Sequence, residues 1–201
     1  GKIILPGAFI EVAERFGLIN QIDRMIIEKT IRKQAELKKQ GKEISFSMNM
    51  SGAELAEEGF LDFISLKISS SGADASKLTF EITETAAIGD IDRAKHFIKA
   101  LKLIGCDIAL DDFGVGFTSF QYLKEMDIDY IKIDGSFIKK LNESMTDQLF
   151  VKAMTDVAEG LGIKTVAEFV ENDATLQLLK EFRVDYAQGY LIGKPAPELL
   201  N

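Results

Sequence analysis

Six positions pair a polar side chain with the end of an apolar, strand-like run: Asn49, Glu81, Asp111 with Asp112, Lys132 with Asp134, Glu168 and Gln188. Side-chain parity supports an inward aim for two of them. Asn49 shares its face with Ser45 and Ser47; Glu81 shares its face with Thr79 and Thr83, while Leu78, Phe80 and Ile82 take the other. Carboxylates gathered at one place cannot all stay ionised without compensation, so either their pKa values rise or cations bind. Hard oxygen donors without Cys or His favour Mg²⁺ or Mn²⁺ over Zn²⁺. The adjacent Asp111-Asp112 suits two ions about 3.5–4 Å apart, an arrangement that clamps both oxygens of an in-line phosphoryl displacement. The single histidine, His96, falls on the helical stretch 91–104, away from these ends, which argues against His-based acid/base chemistry.

Each residue also has a plainer reading. A strand-terminal Asp or Glu often caps a helix, and Asp-Asp-Phe-Gly fits a turn. Glu54, Glu57 and Glu58 read as a solvated face, and Cys106 as a small buried hydrophobe. Recurrence at six consecutive strand ends is what favours chemistry over capping.

The elements that must position these residues alternate along the chain. Residues 21–40 predict a helix, with Ile27, Ile31 and Ala35 at four-residue spacing and Gly41 as its stop. A strand over 44–49 and a helical stretch with Leu61, Ile64 and Ile68 follow. After strand 78–82, Asp90 caps a helix with Ile91, Ala94, Ile98 and Leu101 on one face, ended by Gly105. Strand 107–111, a glycine-containing loop, a short helix near 118–125 and strand 128–133 come next. A helix with Leu149, Ala153, Val157 and Leu161 on its apolar face stops at Gly162; strand 163–167, helix 173–181 and strand 184–187 complete the pattern.

This βα repeat predicts an α/β fold with a parallel sheet. In a (β/α)8 barrel the C-terminal strand ends converge on the active-site mouth, and such a barrel has eight strands in about 250 residues. Six strands are legible here. A doubly wound sheet would place a Gly-rich phosphate loop after its first strand, and none is present in the sequence.

The chain has 201 residues, 46% apolar and 28% charged, which fits one domain spanning 1–201. No apolar run reaches the ~18 residues of a membrane span, and one cysteine suits the reducing cytoplasm. A net charge of −8 argues against a DNA or RNA partner. The opening lacks an initiator Met, so the expectation is a piece of a longer protein.

The motifs as a set resemble the EAL family of cyclic di-GMP phosphodiesterases. They are Asn49-Met50-Ser51, Glu81-Ile82-Thr83-Glu84, Asp111-Asp112-Phe113-Gly114-Val115-Gly116-Phe117-Thr118-Ser119, Lys132-Ile133-Asp134, Ala167-Glu168-Phe169-Val170-Glu171 and Gln188-Gly189-Tyr190, in family order over the whole chain. Pro6-Gly7-Ala8-Phe9-Ile10 with Ala13-Glu14 resembles the family's first helix. The resemblance implies a TIM-like (β/α)8 barrel of EAL type without its N-terminal strands. It implies hydrolysis of cyclic di-GMP to linear pGpG with Mg²⁺ or Mn²⁺ at a two-metal site, in bacterial signalling.

By resemblance, Asn49, Glu81 and Asp111 ligate the first ion, and Asp111, Asp112 and Glu168 the second. Lys132 acts on the nucleophilic water, supported by Asp134, with Glu171 and Gln188 beside it. Asn49, Gln188, Phe169 and Pro6 fall in the substrate-binding region. Glu84 anchors the loop 113–119, which the family uses in dimerisation, so a homodimer is expected. Two departures stand out. Phe169 replaces the usual Gly and narrows the mouth or offers a stacking surface. The Glu-Ala-Leu strand itself is absent from the chain as given, so this piece alone is expected to be weak or inactive. Sensory or GGDEF-type domains are expectations for the parent, and the sequence leaves its membrane attachment open. A catalytically silent sensor of cyclic di-GMP is the alternative.

Overall fold

The computed structural model describes residues 6–116 and 120–196. The chain divides into two compact units, Gly1–Ile82 with Ala86–Ile108, and Thr83–Thr85 with Ala109–Asn201. Among the described residues, no helix is long and apolar enough to cross a membrane.

The first unit opens with α1 (Ile10–Arg15) and the long α2 (Ile19–Lys39). Ile27, Ile31 and Ala35 form its buried stripe, as the spacing predicts. The helix stops where Gln40 turns its N–H back to the Leu37 carbonyl and Gly41, at φ 74°, turns its own to the Lys38 carbonyl. Strand β1 (Phe46–Met50) starts later than the expected 44–49; α3 (Phe60–Ser71) follows. In α3, Phe60 joins Ile64 and Ile68 in the core in place of Leu61. Strand β2 (Leu78–Thr83) pairs with β1 in parallel, from Phe46↔Leu78 to Met50↔Ile82. Met48, Met50, Phe80 and Ile82 are buried. Next come α4 (Glu84–Gly89) and α5 (Ile91–Ile104). Asp90 caps α5 by accepting the Arg93 N–H at 3.1 Å, and Gly105 ends it in the left-handed conformation that glycine adopts without strain.

The expected solvated face at Glu54, Glu57 and Glu58 holds only for Glu58. Glu54 is fully buried. It accepts from Ser51 Oγ at 2.5 Å, and the carboxyl of Asp23, on α2, faces it. Glu57 is half-buried because Arg24 reaches it at 2.6 Å, with the guanidinium lying over the Phe60 and Phe63 rings. The three acids look alike in sequence; what separates them is the surface of α2, more than thirty positions away for Arg24.

The second unit carries four parallel strands in sequence order: the end of β3 (Asp107–Phe113), β4 (Tyr130–Ile133), β5 (Lys164–Ala167) and β6 (Tyr186–Ala187). Helices α6 (Gly135–Ile138), α7 (Met145–Leu161) and α8 (Asp173–Glu181) lie between or after them. Helix α8 has the bounds its pattern predicts, whereas β6 shrinks from 184–187 to two residues. The expected helix near 118–125 is a 3₁₀ turn, Tyr122–Lys124; residues 118 and 119 lie outside the described set. The apolar face assigned to α7 is corrected. Its buried stripe is Val151, Met154, Thr155 and Ala158, and Leu149 is 70% exposed. Two stripes of helical spacing coexist on this helix. Thr155 can occupy the buried one because its hydroxyl donates to the Val151 carbonyl at 2.8 Å.

Candidate metal centre

The centre begins with a register fault. Leu110 pairs with Ile131 and Phe113 with Ile133, so Asp111 and Asp112 together stand opposite the single residue Lys132. This is a β-bulge. In a regular strand neighbouring side chains point to opposite faces. Here Asp112 takes φ 55° and donates its N–H to Asp111 Oδ1 at 3.0 Å. As a result Asp111, Asp112 and Glu168 each offer an oxygen within 4.8 Å of the others. A left-handed φ on a non-glycine residue costs about 1 kcal/mol or more, which the bulge must carry.

Lys132, only 5% exposed, supplies the countercharge. Its Nζ lies 3.0 Å from Asp111 Oδ1 and 2.9 Å from Glu168 Oε1. Glu168 follows β5 directly, with its N–H on the Ile133 carbonyl at 3.3 Å. Desolvation raises the Asp112 carboxyl above its ordinary range, and the charges of Asp111 and Asp134 add to the rise. Burial also raises Glu168, with Lys132 opposing and the two aspartates adding. One ammonium thus leaves this three-carboxylate set incompletely neutralised. Hard oxygen donors of this kind, clustered and partly desolvated, fit a divalent cation such as Mg²⁺ or Mn²⁺.

In the first unit, Asn49 and Glu81 are register partners at the C-terminal ends of β1 and β2. Glu81 is 7% exposed, while Asn49 shares an exposed face with Ser47. As register partners in parallel strands, the two oxygen donors stand side by side.

Beyond Glu168 a cavity of about 570 Å³ is lined by Phe169, Glu171, Gln188, Tyr190 and Lys194 among others. Gln188 is fixed by its backbone, donating to the Ala167 carbonyl at 2.8 Å and accepting from the Val170 N–H at 3.0 Å. Phe169 adopts φ 54°, the conformation that explains why glycine is usual there. Its ring packs on Gly135, where an added Cβ would meet Phe169 Cδ2 at 2.2 Å. Lys139 Nζ lies 4.0 Å from the ring centroid. Asp134 caps α6, accepting from the Ser136 N–H at 2.8 Å. Burial opposes its ionisation, but the Ser136 and Gly135 hydrogen bonds and the Lys139 charge hold it below the usual carboxylate range.

Glu84 is 2% exposed and accepts the Gly114 N–H at 2.9 Å. Its second partner, the Tyr122 hydroxyl, escaped the sequence reading. So did Lys139 and the bulge, since none has a signal in local pattern. Pro6 opens a 3₁₀ turn, Pro6–Ala8, but its side chain lies outside the described set, as do residues 117–119 of the loop.

Comparison with known proteins follows the same line. The profile of the EAL domain family matches residues 1–195. The cyclic di-GMP phosphodiesterase PdeB of Shewanella oneidensis is 40% identical over 197 residues, 98% of this chain and 23% of its own length. The chain therefore spans about a quarter of that relative. The solved PaMucR phosphodiesterase in complex with c-di-GMP superposes with a TM-score of 0.92 at 32% identity, over 96% of this chain and 79% of that one. The FimX EAL domain of Pseudomonas aeruginosa bound to c-di-GMP gives 0.90 at 28% identity, over 98% and 78%. The parallel βα pattern is thus the EAL-type α/β barrel fold that the resemblance implies, with six strands among the described residues. The order of the motifs, the bulge that pairs two aspartates against one lysine and these likenesses converge, and the chain belongs to the EAL domain family.

Proposed function

We propose that this chain forms one EAL domain whose parent hydrolyses cyclic di-GMP to linear pGpG. The observation that carries the reading is Lys132, buried between Asp111 and Glu168 with Asp112 in reach of both carboxylates. A pure binding module has no need of a lysine desolvated among three acids.

Asp111, Asp112 and Glu168 are the residues we assign to divalent cations, with Asn49 and Glu81 as further oxygen donors. Such cations, Mg²⁺ or Mn²⁺, supply Lewis acidity at the phosphoryl oxygens and lower the pKa of water. The protein residues do the rest. Water attacks phosphorus, the P–O3′ bond breaks, and the 3′ oxygen leaves as a hydroxyl. Lys132 orients the attacking water and stabilises charge on the phosphoryl oxygens, where a fixed ammonium is worth most at the transition state. Asp134, rigid as the cap of α6, adds negative charge at the end of the strand that carries Lys132. Glu171 and Gln188 accept from and orient water at the rim of the cavity. Phe169, a 46% exposed residue, offers guanine an aromatic ring, and Pro6 belongs to the same binding region by resemblance.

The domain is also proposed to pair with a second copy, near the loop 113–119. Met145, Leu149 and Phe150 are exposed on α7, and the Phe150 ring packs at 5.9 Å against Phe137, the residue that touches Gly114 of that loop. Cytoplasmic placement is proposed, and the parent is proposed to carry sensory or GGDEF-type domains.

The test is turnover of cyclic di-GMP with Mg²⁺ or Mn²⁺, with pGpG followed by chromatography. In an active parent, Asp111→Asn is expected to lose nearly all hydrolysis. Near-normal activity in that variant would rule out the centre. Tight binding of cyclic di-GMP without any product would instead mark a silent sensor.

A further inference from the structure

Glu84 is held at both oxygens. Oε2 accepts the Gly114 N–H at 2.9 Å, and Oε1 accepts the Tyr122 hydroxyl. Tyr122 is 6% exposed, and burial together with the Glu84 hydrogen bond raises its phenol strongly, so the hydroxyl remains a donor. A carboxylate with one donor can swing about its last torsion; one held at both oxygens is fixed in plane.

The other end of this chain of contacts is the bulge. Gly114 lies two residues after Asp112, at φ 100°. It is wedged there, since an added Cβ would meet Phe137 Cε2 at 2.9 Å. Asp112 itself carries the cost of φ 55°. A strained aspartate two residues before a wedged glycine keeps its position only if the surroundings over-determine it. The Gly114 amide is the hydrogen bond that ties this turn to the buried Glu84.

We propose that Tyr122 is a positioning residue of the metal centre: its hydroxyl, acting through Glu84, fixes the Gly114 amide and thereby the bulge that presents Asp111 and Asp112. The proposal rests on the reading of that bulge as a cation site. It does not require that the reaction be the one proposed above. A second role, plain core packing by the phenol ring, is separable because it belongs to the ring and not to the oxygen.

Tyr122→Phe removes only the oxygen. Three readouts on the protein separate the roles: exchange of the Gly114 amide by NMR, Mn²⁺ affinity by electron paramagnetic resonance, and kcat against KM. The variant is expected to exchange the Gly114 amide roughly tenfold faster and to bind Mn²⁺ roughly tenfold more weakly. Its kcat should fall at low Mn²⁺ and recover at high Mn²⁺, with KM for cyclic di-GMP unchanged. Wild-type exchange and wild-type Mn²⁺ affinity in this variant would overturn the proposal, whatever the melting temperature does. If Tyr122→Phe does not fold, 3,5-difluorotyrosine at position 122 keeps the ring and offers a more acidic donor. Slower Gly114 exchange then supports the role, and unchanged or faster exchange overturns it. A wild-type protein that makes no pGpG removes the proposed function but leaves the exchange and Mn²⁺ measurements able to decide this one.

Discussion

Lys132 is the residue at which stability and chemistry are hardest to separate. Removing one partner of a buried ion pair leaves charge uncompensated and costs about 3–5 kcal/mol. Here Asp111 and Glu168 would both be left facing each other across the gap. Bound cations would repay part of that cost, so Lys132→Ala is best compared with wild type in saturating Mg²⁺. The expected result is a kcat reduced far more than the affinity for cyclic di-GMP, the pattern of a group that acts on the transition state. Parallel kinetics and binding measurements check it; a large affinity loss at unchanged kcat would make Lys132 a ground-state phosphate clamp. Phe169 allows a second residue-level test. Gly135→Ala would drive a Cβ into the Phe169 ring, which now approaches to 2.2 Å of that position. A loss of about 1–3 kcal/mol is expected, as for other overpacked sites. Phe169→Gly removes both that clash and the strain of φ 54°, so the double variant should regain most of the loss. A double-mutant cycle by thermal unfolding reads the coupling directly, and strictly additive losses would show that the two positions do not meet.

Elements were legible in the sequence where one local signal decides them. Asp90 before an apolar stripe and Gly105 after it define α5, and α8 kept its expected bounds because Asn172 caps it through the Thr175 N–H at 2.8 Å. The candidate residues stood out for a related reason: polar groups at strand ends break an apolar run. What stayed hidden depends on pairing between distant segments. The bulge exists only in the register of β3 with β4, and Glu54 is buried facing Asp23, a residue of the distant helix α2. That second case gives an element-level prediction. Burial, with the facing Asp23 carboxyl adding, pushes the Glu54 carboxyl up to about 7 from its model-peptide value of 4.5. Glu54 Oε1 has no hydrogen-bond donor unless the pair holds a proton. A raised folded-state pKa means the unfolded chain ionises first. The stabilisation is therefore full below about pH 4.5 and is lost as pH rises through about 7, on the order of 2–3 kcal/mol in all. Glu54→Gln supplies a permanent N–H donor toward Asp23. It should flatten this pH dependence and stabilise the protein above neutrality; urea unfolding from pH 4.5 to 8 is the measurement, and an unchanged slope would show that the pair is not what titrates.

At the scale of the whole molecule, the proposed pairing of two chains has to overcome their charge. A net charge of −8 opposes self-association through repulsion, so a dimer needs apolar area to offset it. Met145, Leu149 and Phe150, at 80%, 70% and 51% exposure, form such a surface on the first turns of α7. The correction to the face of α7 bears on this point. The Leu149 stripe has helical spacing because it is a second apolar face, and it was the face not used by the core. Its position would link the proposed pairing to the centre: Phe150 packs on Phe137, and Phe137 wedges Gly114, two residues past Asp112. Leu149→Glu places a charge at the middle of the patch without touching the core, so its effect on folding should stay within about 0.5 kcal/mol. Light scattering at high micromolar concentration is expected to give a dimer for wild type and a monomer for the variant, with the dimer dissociating least at high salt because repulsion is then screened. If the patch also steadies the turn at Gly114, the monomeric variant should bind Mn²⁺ more weakly than wild type, although Leu149 touches no proposed ligand. A wild-type protein that remains monomeric, or a Leu149→Glu variant that still dimerises, would separate the apolar face from assembly and leave the 117–119 segment as the part of the loop to test next.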